Sequence, residues 1–432
     1  AQNLGNEQQM ELANLQIEDA TQRENMTAQN QERLAEMQVA ADFLAKNAGF
    51  RQQMELANLS NDQQMRLANL SALNQADAQS LSAEQQTELA NLNSRMQTNL
   101  TQGKIVKIFE NAICKKVNAK YAYAMNSATS ALHISCISLG LKQGDILWTV
   151  PKSFAASANC GLYCGANIDF VDIDKNTYNI SVNELEKKLF LSKKNNALPK
   201  ILVTVDFGGQ PVEQEKIYKL SKKYNFKIIE DASHAIGASR NKNMVGCNKY
   251  SDITVFSFHP VKIITSAEGG MALTNNIKIA DKIDILRTHG ITRNINKLKK
   301  KNKGIWYYEQ QNLGYNYRLS EVHSALGLSQ LTKLNKYVKF RNKIAENYNI
   351  MLKDLEIQLP HILKNNYSSY HLYVIRINLS KTKKNYKYIF NKLRENGIGV
   401  NLHYLPIHLH PYYTKKGFKI GDFPESENYS KE

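Results

Sequence analysis

Short β-branched runs alternate with helical patterns through much of the chain, and this alternation restricts the fold more than any other feature. Residues 146–151, 168–171, 201–205, 227–231 and 253–257 are such runs, and helical spacing fills 181–193 and 212–224 between several of them. Strands joined through helices imply an α/β fold with a mostly parallel sheet covered on both faces. Ligands of such sheets bind beyond the carboxyl ends of the strands. The residues that follow each strand are therefore where function is to be sought. A long helical stretch over 320–355 then leads to a second unit, predicted as a strand at 370–377, a helix at 388–396 and a strand at 399–404.

The first hundred residues follow a different rule. Gln8-Gln-Met-Glu-Leu-Ala-Asn-Leu15 recurs at 52–59, at 63–70 with Arg66 in place of Glu, and at 85–92 with Thr87 in place of Met, always at offsets that are multiples of eleven. An eleven-residue period is about 3.67 residues per turn and predicts a long helix with a slight right-handed drift. Its apolar stripe, with Leu12, Leu34, Leu56, Leu67 and Leu89, is narrow and needs a helical partner. A coiled-coil-like segment over 1–99, serving oligomerisation or spacing, is expected. A disordered low-complexity segment is the alternative.

Charge divides at the same place. Residues 1–103 hold 13 Asp/Glu and 6 Lys/Arg, a net −7, and the remaining 329 hold 26 and 50, a net +24. All 22 tyrosines and all 8 prolines lie in the second part. The expected organisation is a helical repeat over 1–99, a large domain over 100–345 and a smaller α/β domain over 346–432.

Several classes are set aside. No stretch approaches the roughly 18 apolar residues of a membrane span, and Ala1 to Met10 lacks the order of a signal peptide, so a soluble cytoplasmic protein is expected. Cys114, Cys136, Cys160, Cys164 and Cys247 form no CxxC pair, and no metal site is expected. Cys160 and Cys164, one helical turn apart, are read as packing residues. The basic run 297–303 reads as a solvated loop, or as a lure for a nucleotide diphosphate. No nucleic-acid-binding motif accompanies the positive charge, so no such partner is expected.

Three strand-end features carry chemistry. Asn126-Ser-Ala-Thr-Ser-Ala131 follows an apolar run and opens a helix, which suits either a phosphate seat or an ordinary cap. The run 227–231 ends in Asp231, followed by Ala232-Ser-His234. The run 253–257 leads through Phe258-His-Pro-Val to Lys262. A hydroxyl-rich helix start, an acid and a lysine roughly 30 residues later, in that order, are what pyridoxal phosphate asks of its host.

With Thr101-Gln-Gly-Lys104, Asp231-Ala-Ser-His-Ala-Ile-Gly237, Phe256-Ser-Phe-His-Pro-Val-Lys262, Glu268-Gly-Gly270, Arg287-Thr-His-Gly290 and Gly314-Tyr-Asn-Tyr-Arg-Leu-Ser-Glu321, the chain from about residue 100 resembles the DegT/DnrJ/StrS sugar aminotransferases. The resemblance implies a fold type I pyridoxal-phosphate transferase. Within the family these motifs are most similar to enzymes that aminate C4 of a UDP-linked 4-keto-6-deoxy-N-acetyl hexosamine with L-glutamate as donor.

Carried over residue by residue, the resemblance implies Lys262 as the Schiff-base lysine and proton carrier, and Asp231 as the partner of the pyridine nitrogen. It implies His234 beside the ring, Phe154 stacked on it, and Thr129, Ser130 and Ser257 around the phosphate. Asn316 is implied to reach the phosphate of a second subunit, making the active site that of a homodimer. His403, Tyr404 and His408 are implied as nucleotide-sugar contacts. Two departures stand out: the repeat occupies the place of the family's usual opening, and the chain stops before the family's final helix, so an incomplete small domain is expected. A different nucleotide keto-sugar is one alternative acceptor. A structural protein, in which the repeat is the working part, is the alternative from another class.

Overall fold

The computed structural model describes residues 103–431, apart from 301–303, 305 and 383. The eleven-residue repeat lies outside the described residues. In chain order the main elements are α1 (Ile105–Val117), β1 (Tyr121–Met125), α2 (Ala128–Ser138), β2 (Ile146–Thr149), α3 (Ala156–Leu162), β3 (Asn167–Phe170), α4 (Val182–Lys194), β4 (Ile201–Val205), α5 (Gln214–Tyr224), β5 (Lys227–Asp231), β6 (Ile253–Ser257), β7 (Gly270–Thr274), α6 (Ile277–Leu286), α7 (Glu321–Leu331), α8 (Leu334–Leu352) and α9 (Tyr386–Glu395).

The seven strands form one sheet in the order β1-β7-β6-β5-β4-β2-β3. Only β7 runs against its neighbours, pairing antiparallel with both β1 and β6. The other six strands therefore share one carboxyl edge. That edge gathers Asn126, Val150, Asp206, Ala232 and Phe258, the residues that follow β1, β2, β4, β5 and β6. Segments distant in sequence are brought to one line by this pairing.

Every residue of β4, β6 and β7 is buried, as expected of strands covered on both faces. On one face Leu147, Val203, Ile229 and Val255 pack with Leu132 and Cys136 of α2, Cys160 of α3 and Ile283 of α6. On the other, Trp148, Leu202 and Ile228 meet Leu185 of α4 and Ile217 of α5. Ala124, Phe256 and Met271 on that face meet Ile113 of α1 and Val338 of α8. The period-two alternation of each strand feeds both layers.

Four expectations change. The helical stretch 320–355 is two helices, α7 and α8, and α8 runs through the boundary expected at residue 345. β7 was not foreseen: its leading Gly269-Gly270 hides it, yet the chain turns back there to fill the gap between β1 and β6. Of 370–377 only Arg376–Ile377 is strand, paired with Ile357–Gln358, and 399–404 has no strand partner among the described residues. β propensity alone does not make a strand without a ladder to join.

One buried group costs stability. Lys152, just past β2, is fully buried, and its Nζ lies 2.8 Å from the Phe207 ring centre and 4.0 Å from that of Tyr429, with no hydrogen-bond partner among the described residues. Burial, and then the nearby Arg376, holds the amine well below its usual pKa. Lys152→Met keeps the volume and removes the buried amine, so it is expected to stabilise the fold by roughly 1–3 kcal/mol. Thermal melts of the two proteins check this, with a lower Tm for the variant as the contrary result.

Candidate active site

A cleft of about 350 Å³ opens at the carboxyl edge of the sheet, lined from the helix starts by Ser127, Ala128, Thr129 and Phe154 and from the strand ends by Asp231 and Ser257, with Lys262 and Tyr404 on its walls. Each lining residue has a local cause. Ser127 caps α2, its Oγ accepting the Ser130 N–H at 3.1 Å. The first-turn amides of such a helix have no intrahelical acceptors, and its dipole favours an anion. β7 presses against this turn: a Cβ on Gly270 would come within 2.4 Å of the Ala128 nitrogen, so only glycine fits there.

Asp231 closes β5 and is buried. Its Oδ2 accepts from the Ser157 hydroxyl at 2.7 Å, and its Oδ1 from the Ser233 hydroxyl at 2.6 Å and N–H at 3.2 Å. The carboxylate is thus fixed in orientation. Lys262 stands in the turn after β6, its N–H donating to the His259 carbonyl at 2.9 Å. Burial lowers its amine to about 8, against the opposing pull of Asp231. Phe154 is 62% exposed on the cleft wall, so it is not a core phenylalanine.

His234 is held neutral, chiefly by burial and then by the charge of Lys262. Its Nδ1 accepts the Gly208 N–H at 3.3 Å, which places the proton on Nε2, 3.3 Å from the Tyr404 hydroxyl. His371 packs on it with ring centres 4.3 Å apart, and burial pushes His371 down to about 3. Nothing in the sequence links His371 to His234. The link is made where Ser369 N–H donates to the Gly209 carbonyl at 3.1 Å and its hydroxyl to the His234 carbonyl at 2.8 Å. Gly209 has φ +102°, and a Cβ there would meet Ser369 Oγ at 2.5 Å.

Residues 82–432 match the DegT/DnrJ/EryC1/StrS aminotransferase family. The chain belongs to this family. It is 41% identical over 323 residues to the UDP-4-amino-4,6-dideoxy-N-acetyl-β-L-altrosamine transaminase of Campylobacter jejuni, covering 73% of this chain and 80% of that one. Among solved structures it is similar to Helicobacter pylori PseC, an aminotransferase involved in pseudaminic acid biosynthesis, with TM-score 0.69 and 34% identity over 79% of this chain and 88% of the other. It shares its fold with a Streptococcus pneumoniae chain named as a sugar aminotransferase and solved in its PLP form, with TM-score 0.67 and 24% identity over 77% and 85% of the two chains. The protein is an aminotransferase of fold type I, and aminotransferases of this family use pyridoxal phosphate.

The cleft of this aminotransferase fits that cofactor: a capped helix start suits the phosphate, an oriented carboxylate the ring nitrogen, an exposed aromatic face the ring, and a lowered amine the aldehyde. Not every expected residue lines it. The Ser130 hydroxyl donates to Asn126 at 2.6 Å and its N–H is taken by the cap, and it is Ser127, Ala128 and Thr129 of this turn that line the cleft. His408 is fully buried and bonded through Nε2 to Glu427 at 3.0 Å, inside an aromatic cluster with Phe170 and Phe423, which corrects its reading as a substrate contact. Asn316 is exposed and lines no part of its own chain's cleft. His403 is half-buried, and burial lowers its pKa. Ser157, whose hydroxyl donates to Asp231, was missed, since a serine within a helix carries no signal until its partner is known.

The lowered amine has a pH signature. Between about 8 and the ordinary 10.4 of a free lysine, Lys262 is neutral in the folded chain and charged in the unfolded one, so its contribution to stability rises with pH across that window. An amine attacks an aldehyde only in its neutral form. Capture of pyridoxal phosphate by cofactor-free protein is expected to rise about tenfold from pH 7 to pH 9, with a midpoint near 8. Stopped-flow absorbance measures it, and a rate still climbing steeply above pH 9 contradicts the assignment.

Proposed function

We propose that this aminotransferase moves the amino group of L-glutamate to C4 of a UDP-linked 4-keto-6-deoxy-N-acetyl hexosamine, using pyridoxal phosphate. The observation that carries the reading is the placing of Lys262 and Asp231 on one cleft at the carboxyl edge of the sheet, beside the start of α2. The transaminase relatives at 36–41% identity support the choice of acceptor.

The bound cofactor supplies an electron-withdrawing ring that stabilises negative charge at the carbon losing a proton. The side chains do the rest. Ser127, Thr129 and Ser257 hold the phosphate, and Phe154 fixes the plane of the ring. Asp231, oriented by Ser157 and Ser233, keeps the ring nitrogen protonated through an opposite charge. Lys262, neutral once released, takes the proton from Cα of glutamate and later delivers one at C4 of the sugar. His234, with its proton on Nε2, would donate to the cofactor ring, with Tyr404 as its alternative partner. Tyr404, on the cleft wall, and the adjacent His403 are assigned to the nucleotide sugar. Asn316 is assigned to the cleft of a second subunit, so the working unit is a homodimer. A smaller domain follows α8.

Purified chain with added pyridoxal phosphate should develop a visible band that glutamate bleaches and a 4-keto UDP-sugar restores. A panel of nucleotide keto-sugars decides the acceptor: faster recovery with an acceptor other than the 4-keto-6-deoxy-N-acetyl hexosamine overturns the narrower claim.

A further inference from the structure

Hydrogen bonds alone do not hold the His234 ring in one plane. The Gly208 N–H reaches its Nδ1 only at 3.3 Å, and the Tyr404 hydroxyl stands 3.3 Å from its Nε2. Both exceed the roughly 2.7–3.2 Å of ordinary N–H bonds in proteins, and the second is given up when Nε2 turns to another acceptor. Neighbouring rings supply the rest. Phe207 has its centre 6.1 Å away and Tyr404 6.4 Å, whereas His371 lies at 4.3 Å with its plane tilted by 40°. Among the described residues His371 is the closest ring on His234.

Main-chain bonds set that separation. On one side of His371, Ser369 donates its N–H to the Gly209 carbonyl at 3.1 Å and its hydroxyl to the His234 carbonyl at 2.8 Å. On the other, the Leu372 N–H donates to the carbonyl of Gly208, the residue whose own N–H points at His234 Nδ1, at 3.2 Å. Arg341 of α8 donates through one nitrogen to the carbonyls of Tyr370 and His371, at 3.1 and 3.4 Å. A Cβ on Gly209 would come within 2.9 Å of the Tyr370 nitrogen and 3.0 Å of the His234 carbonyl, so glycine permits this close approach. One backbone unit thus carries both imidazoles. Burial keeps both uncharged, so neither ring repels the other. His371 Nδ1 is buried and has no hydrogen-bond partner among the described residues, so the ring meets its neighbour through its face and not through that nitrogen.

We propose that His371 is a positioning residue for amino transfer: its ring confines His234 so that Nε2 stays directed into the cleft. The inference rests on the reading of this cleft as a pyridoxal-phosphate site in which His234 donates to the cofactor ring. A half-turn about the Cβ–Cγ bond of His234 exchanges Nε2 for Cε1 and removes the donor. His371 blocks that turn and itself moves no proton. Misplacing a group at a reacting centre by about 1 Å costs on the order of 100-fold in rate, which sets the scale of the effect.

The test compares the unmutated cofactor-loaded protein with His371→Ala, His234→Asn and the double variant, following the bleaching of the visible band by glutamate in stopped flow. His371→Ala should slow bleaching roughly 10- to 100-fold and His234→Asn at least as much. The double variant should be no more than about threefold slower than His234→Asn alone, because the two losses share one cause. His371→Phe returns a ring to the position and should recover the rate to within about fivefold of the unmutated protein. A second readout needs no cofactor. In the nitrogen-15 spectrum of the cofactor-free full chain, His234 should carry its proton on Nε2, and in His371→Ala the two ring nitrogens should average. Additive slowing in the double variant, His371→Phe as slow as His371→Ala, or an unchanged His234 signal in His371→Ala overturns the proposal. Failure of the cofactor reading looks different: the unmutated protein then forms no visible band, and the proposal falls with it.

Discussion

Lys262→Ala should abolish the visible band of the cofactor-loaded protein and lower glutamate-dependent turnover by about 10,000-fold. Two losses combine. On the proposed assignment the covalent anchor is removed, and with it the one amine that lines the cleft among the described residues. General acid–base catalysis alone is worth roughly 100- to 10,000-fold. The substitution leaves the rest of the cleft untouched: Asp231 keeps its bonds to Ser157 and Ser233, and His234 keeps its bond from Gly208. The variant should therefore fold with a similar Tm and still bind the cofactor noncovalently, seen by equilibrium dialysis. A band of normal intensity in the variant would remove Lys262 from its role.

Asp231→Asn should slow the bleaching of that band by glutamate roughly 100- to 1,000-fold while leaving the band itself present. The change preserves size and most hydrogen-bonding capacity, because Ser157 and Ser233 have hydroxyls that can accept as well as donate. What is lost is the negative charge. An opposite charge in contact shifts a pKa by about 1–3 units, so without it the ring nitrogen gives up its proton near neutrality. Each unit corresponds to about 1.4 kcal/mol between the two protonation states. The slowed step should recover toward low pH, where solvent supplies the missing proton. A variant that bleaches at the original rate would show that the carboxylate serves only to hold the loop.

Much of the large domain was readable because its strands are buried on both faces and so are apolar throughout. Residues 201–205, 227–231 and 253–257 are strands with the bounds expected of them, and the two helices expected at 181–193 and 212–224 begin within two residues of their expected starts. Lys262 and Asp231 stood out as candidates for a related reason: Asp231 ends such a strand and Lys262 stands in the turn after one, at the edge where parallel sheets bind ligands. The second unit was harder. Its strands are two residues long, its helix α9 has no buried residue, and exposure weakens the alternation that marks a strand. His408 failed differently, since a histidine near a site and a histidine bonded to a buried glutamate look alike until Glu427 is placed beside it.

By itself the sequence determined the alternation of strands and helices, and hence a mostly parallel sheet. It also fixed the order of phosphate seat, acid and lysine, because these depend on residue type and on spacing along one chain. The tertiary structure alone decided which neighbours those residues have. It inserted β7 between β1 and β6, and brought Ser157 from α3 to Asp231 and His371 to His234. Side-chain pKa, orientation and burial depend on atoms within a few ångströms, and those atoms come from segments that no local pattern connects.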